Sequence, residues 1–236
     1  MSPRDTQADV QHMAVLVVAK APVPGLAKTR LAARVGTAAA ADVAAAAMLD
    51  LLETLRRDRR RTLVALTGDL SQSARSTELA DALTGCTVFP QAEGAFSVRL
   101  ARAHQRAQQL APGPLLQVGM DTPQIDADLL RAAHAALGEH GAVLGPADDG
   151  GWWALGLHTA DPAAALADVA MSTASTGADT EAALIATGLV GDVVGRLATL
   201  RDVDEWDDAV EVAAAVPGSR FAAAVSSCAE RVGAAR

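Results

Sequence analysis

Ala14-Val15-Leu16-Val17-Val18-Ala19, running straight into Lys20-Ala21-Pro22-Val23-Pro24-Gly25-Leu26-Ala27-Lys28-Thr29-Arg30-Leu31, is the stretch on which the reading of this chain turns. An unbroken apolar run rich in β-branched residues is the pattern of a strand buried on both faces. Two prolines and a glycine stop it and force an irregular loop. Three cations, Lys20, Lys28 and Arg30, fall in or just after that loop. Loop amides and a following helix start offer donors, and the cations add charge, so the stretch suits a phosphate. It also suits a surface turn with solvated lysines, since most exposed Lys and Arg bind nothing specific.

Outward from this stretch, apolar runs alternate with helical periodicity. Strands are predicted at Thr62 to Thr67, Thr87 to Phe89, Pro114 to Gly119, Ala142 to Gly145, Trp152 to Leu157 and Val193 to Leu200. Helices are predicted at Thr37 to Arg57, Ser71 to Leu83, Phe96 to Leu110, Asp126 to Leu137 with Asp126 as cap, around Thr180 to Thr187, from Asp202 to about Val216, and from Ser219 to Val232. A short helix follows Pro162. Such alternation predicts an α/β fold, a mainly parallel sheet covered on both faces. Ligands of such sheets collect at the carboxyl ends of the strands. Lys20 to Arg30, Asp121 and Asp148 to Gly151 all fall at strand ends.

The 236 residues suffice for one sizeable core, expected over 13–236 behind a disordered tail at 1–12. Half the residues are apolar, yet there are only 3 Phe, 3 Trp and no Tyr, so Ala, Val and Leu must build that core. A net charge of −8 argues against nucleic acid held on a broad basic surface. It leaves room for a small anion in a local basic cluster. Cys86 and Cys228 have no metal-ligand spacing and read as reduced thiols. No stretch approaches ~18 strongly apolar residues, and Met1 to Gln11 lacks the apolar core of a signal peptide, so a cytoplasmic protein without membrane contact is expected. The basic run Arg56 to Arg61 reads as the cationic end of a helix. The five histidines show no metal spacing.

Three clusters remain to carry chemistry. Asp121, where an apolar strand meets Thr122-Pro123, reads as turn chemistry or as a carboxylate for a divalent ion. Mg²⁺ favours one or two carboxylates plus phosphate oxygens and water, so a second acid is expected from another strand end. Asp202 and Asp204 are the candidates; Asp207 and Asp208 fit an ordinary acidic helix start. In Asp148-Asp149-Gly150-Gly151 the glycines permit close backbone approach to a ligand, and an acid beside them could orient a hydroxyl or act as base. Trp152 and Trp153 could supply a flat apolar wall, or be buried in a core short of aromatics. The same residues also suit a tight turn between two strands.

Together these motifs resemble a family of uncharacterised bacterial transferases with the glycosyltransferase-A fold, the radical-SAM/selenodomain-associated type. The resemblance runs in order from about Met13 to Val216, through Lys20 to Leu31, Gly119 to Pro123, Gly145 to Gly151 and Asp202 to Asp208. Gln91, Gly94, Arg99 and Leu100 follow the pattern weakly; Met171 replaces an aromatic often found before Ser-Thr. Ala27-Lys28-Thr29-Arg30-Leu31 and Met48-Leu49-Asp50 are also similar to 2-phospholactate guanylyltransferases. The resemblance implies a nucleotide-diphospho-sugar transferase fold: a Rossmann-like three-layer sandwich. It implies a nucleotide or nucleotide sugar held by Ala19, Lys20, Pro22, Gly25, Lys28, Arg30, Gln91 and Thr122. It further implies Mg²⁺ or Mn²⁺ between Asp121 and Asp204, and a small-molecule acceptor at Asp148, Gly150, Gly151 and Trp152. Lys28, Arg30 and Asp149 would be catalytic, and a homodimer is left open. Three functions follow as expectations: glycosyl transfer from a nucleotide sugar, nucleotidylyl transfer from a nucleoside triphosphate with release of pyrophosphate, or nucleotide binding without catalysis.

Overall fold

The computed structural model describes residues 13–234; the tail expected at 1–12 lies outside the described residues. Seven strands form one sheet: β1 (Ala14–Lys20), β2 (Thr62–Thr67), β3 (Thr87–Pro90), β4 (Leu115–Gly119), β5 (Ala142–Pro146), β6 (Trp152–Leu157) and β7 (Gly195–Arg196). Their order across the sheet is β3-β2-β1-β4-β6-β5-β7. β6 runs antiparallel to β4 and β5, and the other pairings are parallel. The sheet is therefore the expected α/β type, with one hairpin strand inserted where Asp148 to Gly151 turn the chain back.

The helices are α1 (Thr29–Val35), α2 (Thr37–Arg57), α3 (Ser76–Leu83), α4 (Phe96–Leu110), α5 (Ala127–Glu139), α6 (Thr176–Ala186), α7 (Trp206–Ala215) and α8 (Arg220–Ala234). Side chains alternate across each strand, so the two sheet faces carry different sets. Val15, Val17, Val64, Leu116 and Val118 pack against α2, α3 and α5 through Met48, Leu52, Leu79 and Leu130. On the other face, Leu16, Leu63, Ala65 and Leu115 pack against α4 through Ala103 and Ala107. Leu144, Leu155 and Leu157 continue that face under Leu100, Ala163, Leu166 and Leu184. Small side chains let α2 pack closely on both sides: Ala44 and Ala45 lie in the core with the sheet, and Ala46 and Ala47 in the cluster with Phe221 and Val225 of α8. Asp50 on α2 accepts the backbone N–H of Phe221 at 2.8 Å and so fixes the start of α8.

The basic run Arg56 to Arg61 spans the end of α2: Arg56 and Arg57, in its last turn, pair with Glu53, and Arg60 pairs with Asp58. Asp126 caps α5 through the Leu129 N–H at 2.8 Å. The strand expected over Val193 to Leu200 is a correction. Only Gly195–Arg196 pairs with β5, and Leu200 makes an isolated bridge to Ala147. Val193 precedes the paired residues and stays exposed, while Val194 is buried. Asp202 to Asp204 likewise belong to a loop rather than a helix, since α7 starts at Trp206. Among the described residues, no helix is long and apolar enough to cross a membrane, and both cysteines are free thiols.

Candidate active site

A cleft of about 540 Å³ opens at the carboxyl ends of β1 and β4. Its walls are the β1 loop and α1 on one side, the first two turns of α4 on the other, and the loops carrying Asp149, Met171 to Thr173, and Asp202 to Asp204.

The β1 loop folds on itself before the helix begins. Lys20 Nζ donates to the Leu26 carbonyl at 2.8 Å, and the Pro22 carbonyl accepts from Ala74 N at 3.0 Å. Lys28 then takes a left-handed backbone conformation (φ 47°) immediately ahead of α1. Only a few residues other than glycine accept that conformation, and it carries strain. Its effect here is to send the Lys28 side chain into the cleft, 11% exposed, with Nζ 2.5 Å from Asp121 Oδ2 and 3.6 Å from Asp204 Oδ1. Arg30 reaches Asp204 Oδ2 from outside at 3.0 Å. Two acids separated by more than eighty residues thus flank one ammonium. Asp121 ends β4; Gly119 precedes it, and a Cβ there would stand 2.9 Å from Asp121 Oδ1. Asp204 is set by α7: Asp208 accepts the backbone N–H groups of Asp204 and Glu205, and Glu205 completes the capping box.

The electrostatics follow from that crowding. Burial works against the Lys28 charge, but Asp121, then Asp204 and Asp202, outweigh it and hold its pKa above the usual lysine value. Burial also opposes ionisation of Asp121, and Lys28 reverses this, leaving Asp121 below the usual carboxylate range. At Asp202 the charge of Lys28 offsets too little. Burial, then the charges of Asp121 and Asp149, push it up to about 7. Lys28 and Arg30 offset Asp121 and Asp204, and Asp202 and Asp149 are the further acids in the cleft that another cation would offset.

A pH dependence follows. An acid whose folded pKa lies above its unfolded value destabilises the fold progressively as pH rises from the unfolded to the folded pKa. For Asp202 that window runs from about 4 to about 7. Asp202→Asn should therefore raise Tm at pH 8 and leave it nearly unchanged at pH 4, read by thermal melts across that range.

Not every residue singled out in the sequence lines the cleft. Ala19, Lys20, Lys28, Arg30, Gln91, Asp121, Asp149, Gly151, Trp152 and Asp204 do. Thr122 is buried beside it, and Pro22 is buried behind the loop it closes. Gly25, at φ 82°, turns the loop. Asp148 points to Arg201 Nη2 at 3.3 Å. Gly150 uses its missing side chain for the fold: at φ 87° its Cβ would lie 2.1 Å from the Ala174 carbonyl oxygen, and the Gly150 carbonyl accepts from Gly177 N at 2.8 Å. Gly150→Ala is expected to cost about 1–3 kcal/mol from strain and clash, lowering Tm by several degrees in a thermal melt and displacing the Met171 to Thr176 wall.

Other lining residues carried little or no signal. Thr67, Phe96 and Thr176 were not singled out. Gln117 was detectable as the one polar residue inside Leu115-Leu116-Gln117-Val118. Gln91 acts as a brace: its Nε2 donates to the Ala19 and Ala65 carbonyls at 2.8 and 2.9 Å, tying β1 to β2 at the cleft floor. Trp152 presents its ring to the cleft while Nε1 donates to Thr180 Oγ1 at 3.1 Å.

Comparison with solved structures gives the same fold. A candidate nucleotide-diphospho-sugar transferase of Desulfovibrio desulfuricans G20 superposes with a TM-score of 0.80 at 22% identity, over 94% of this chain and 97% of that one. The 4-diphosphocytidyl-2C-methyl-D-erythritol synthase of Anaerococcus prevotii gives 0.54 at 10% identity, over 84% and 95%. A cytidylyltransferase of Leptospira borgpetersenii gives 0.53 at 13%, over 94% and 95%. No curated protein matches the sequence. Residues 48–173, from α2 through the Met171 to Thr173 wall and including Asp121 and Asp149, match the family described as "Uncharacterized protein conserved in bacteria (DUF2064)". That match covers more than half of the chain and most of the cleft, and the protein accordingly belongs to the DUF2064 family.

Proposed function

We propose that this protein is a metal-dependent transferase acting on a nucleotide-activated donor, with transfer of a glycosyl group from a nucleotide sugar to a small acceptor as the leading reaction. The observation that carries the proposal is the convergence of Asp121 and Asp204 on one cation, Lys28 Nζ, at the carboxyl edge of the sheet. Phosphates need positive charge there, and Lys20, Lys28 and Arg30 supply it from one wall.

The donor set fits a divalent ion. Asp121 and Asp204 would hold Mg²⁺ or Mn²⁺, with the donor's phosphate oxygens and water completing its shell. Among the described residues no three acidic, imidazole or thiolate groups close on one point, and Mg²⁺ seldom asks for that when phosphates are present. Burial, then the charges of Asp121 and Asp149, push Asp202 up to about 7, which is the crowding of acids that a divalent ion would relieve. When bound, such an ion stabilises charge on a departing diphosphate. Lys28 would then turn from the carboxylates to the phosphates, and Arg30 would hold the same charge from the solvent side. Asp149, on the cleft rim with Oδ1 fixed by the Gly151 N–H at 2.8 Å, would orient or deprotonate the acceptor hydroxyl. Trp152 would face the sugar.

Nucleotidylyl transfer is the second reading, favoured by the basic loop and by the fold shared with a cytidylyltransferase. A thermal-shift panel of nucleoside triphosphates and nucleotide sugars, with and without Mg²⁺, separates the two. Ligand binding to the native state raises Tm by mass action, about 2.7 kcal/mol at a hundred times Kd. A nucleotide sugar hit that requires Mg²⁺, followed by slow hydrolysis, supports the first reading. A triphosphate hit with pyrophosphate release on adding phosphorylated acceptors supports the second. Binding without turnover in either assay leaves a nucleotide-binding module, and no shift from any compound overturns the proposal.

A further inference from the structure

The cleft crosses the end of the sheet, and its lining divides into two sides, or compartments, by the core each residue joins. Ala27 and Ala44, at its β1-loop side, belong to the core packed under α2. Val18, Leu100, Trp152 and Met171 belong to the core on the opposite face, under α4. The charged groups assigned to donor and metal all enter from the first side or from the rim. In the second compartment stands one cation, Arg99, on the second turn of α4.

Arg99 is held in place but not neutralised. Its Nη1 donates to Gln91 Oε1 at 2.9 Å, and its guanidinium lies over the Phe96 ring at 5.2 Å from the centroid. Its buried Nε has no partner. Among the described residues no carboxylate pairs with it. Lys28, Arg30, Arg75 and Arg201 all have acidic partners. A half-buried guanidinium loses hydration, and an uncharged amide and a ring return only part of it. A planar fork fixed on an apolar wall and left without a counter-anion is the arrangement that takes an oxyacid group. Gln91, which Arg99 orients, is itself pinned to β1 and β2, so the fork is rigid with respect to the cleft floor.

We propose that the α4-side compartment is the acceptor subsite and that the acceptor is an anionic small molecule whose phosphate or carboxylate is bound by Arg99. Its apolar portion lies against Val18, Leu100, Trp152 and Met171, which leaves a hydroxyl or a second oxyacid oxygen toward the rim and Asp149. The acceptor role rests on the transferase reading above; the anion site itself does not.

The test is calorimetric titration of the full chain with 3-phosphoglycerate, with inorganic phosphate and glycerate as separate arms and glycerol as the neutral control. Saturable binding is expected for 3-phosphoglycerate and for at least one of the single-anion arms, and none for glycerol. Whichever arm binds identifies the group read by Arg99. Arg99→Met should weaken that binding roughly 10- to 100-fold, the range for a hydrogen-bonded charge pair. Arg99→Lys should recover part of it, and Arg102→Ala, exposed on the next turn, should leave it unchanged. Thermal melts confirm that each variant is folded. The titration is repeated with the best Mg²⁺-nucleotide from the thermal-shift panel. Anion binding that persists in the wild-type protein with the nucleotide bound, together with a nucleotide Kd unaltered in Arg99→Met, establishes a separate acceptor subsite. Competition between nucleotide and anion, or a nucleotide Kd weakened in Arg99→Met, overturns the proposal by assigning Arg99 to the donor. Equal affinity for glycerol and the anions, no anion binding in any arm, or anion binding unchanged in Arg99→Met overturns it as well. If no nucleotide binds but the Arg99-dependent anion site does, the transferase reading fails while the anion site stands.

Discussion

Lys28→Met should lower the Tm of the ligand-free protein at pH 8 by about 4–8 °C and weaken nucleotide binding by about 10- to 100-fold. The stability loss comes from stranding Asp121. Removing one partner of a buried ion pair costs about 3–5 kcal/mol; Asp121 keeps 35% of its side chain in solvent, which lowers the figure to about 2 kcal/mol, or 2–4 °C per kcal/mol for a chain of this length. The affinity loss is that of one charge-assisted hydrogen bond to phosphate. The sign of the pH effect can be worked out from both partners. Asp121 is held below its unfolded pKa, so its contribution is present above about pH 4 and is lost as pH falls through the folded value; Lys28 is held above its own, so its contribution is lost only above about pH 10. The variant should therefore be least stable, relative to wild type, between these limits, and should approach wild type near pH 3. Mg²⁺ added to the variant without nucleotide should raise its Tm more than it raises that of wild type, because the carboxylates have lost their resident cation. A melt at pH 8 indistinguishable from wild type, with no added response to Mg²⁺, would remove the basis for the shared-cation site.

The elements around this site were legible because their signals are local. A run such as Thr62 to Thr67 or an α2 with apolar residues at helical spacing needs nothing from the rest of the chain to be read, and both elements have the expected bounds. Val193 to Leu200 misled because β-branched and apolar residues there satisfy the same pattern, while only Gly195 and Arg196 pair with β5, and Val194, Leu197 and Leu200 reach the core from irregular chain. The site divides in the same way. Asp121 and Lys28 stand at breaks in pattern, an acid after an apolar strand and a cation after a proline-rich loop. That they meet at 2.5 Å depends on β1 and β4 being neighbours, which no spacing in the sequence encodes. Gly150 shows the opposite failure: the residue type was informative, but the close approach it permits is to the chain's own Ala174 carbonyl. Arg99 and Gln91 stood out weakly because a Gln after a strand and an Arg on a helix are ordinary; only their hydrogen bond, and the lack of an acid beside them, sets them apart.

Asp121→Asn should abolish the Mg²⁺ dependence of nucleotide binding and reduce turnover about 1,000-fold, the equivalent of roughly 4 kcal/mol of charge stabilisation lost at the departing phosphates. The amide keeps the shape of the carboxylate and accepts a hydrogen bond from Lys28, so the fold should persist with a smaller change in Tm than Lys28→Met produces. Asp202 should also titrate lower in this variant, because the charge of Asp121 is one of the causes holding it near 7; the loss of stability assigned to Asp202 should still begin near about pH 4 but level off at lower pH and be smaller. Nucleotide affinity that still rises with Mg²⁺ in Asp121→Asn would contradict the metal assignment for either transfer reaction. Gly119→Ala supplies the geometric counterpart, since it leaves every charge in place. Its Cβ would stand 2.9 Å from Asp121 Oδ1, closer than a carbon and an oxygen approach without displacement, and the carboxylate is the flexible partner that must give. Displacement of the reacting groups by about 1 Å costs on the order of 100-fold in rate. A turnover defect in Gly119→Ala with Asp121 intact would tie the chemistry to the position of that carboxylate, and equal activity in the two proteins would show that its charge alone matters.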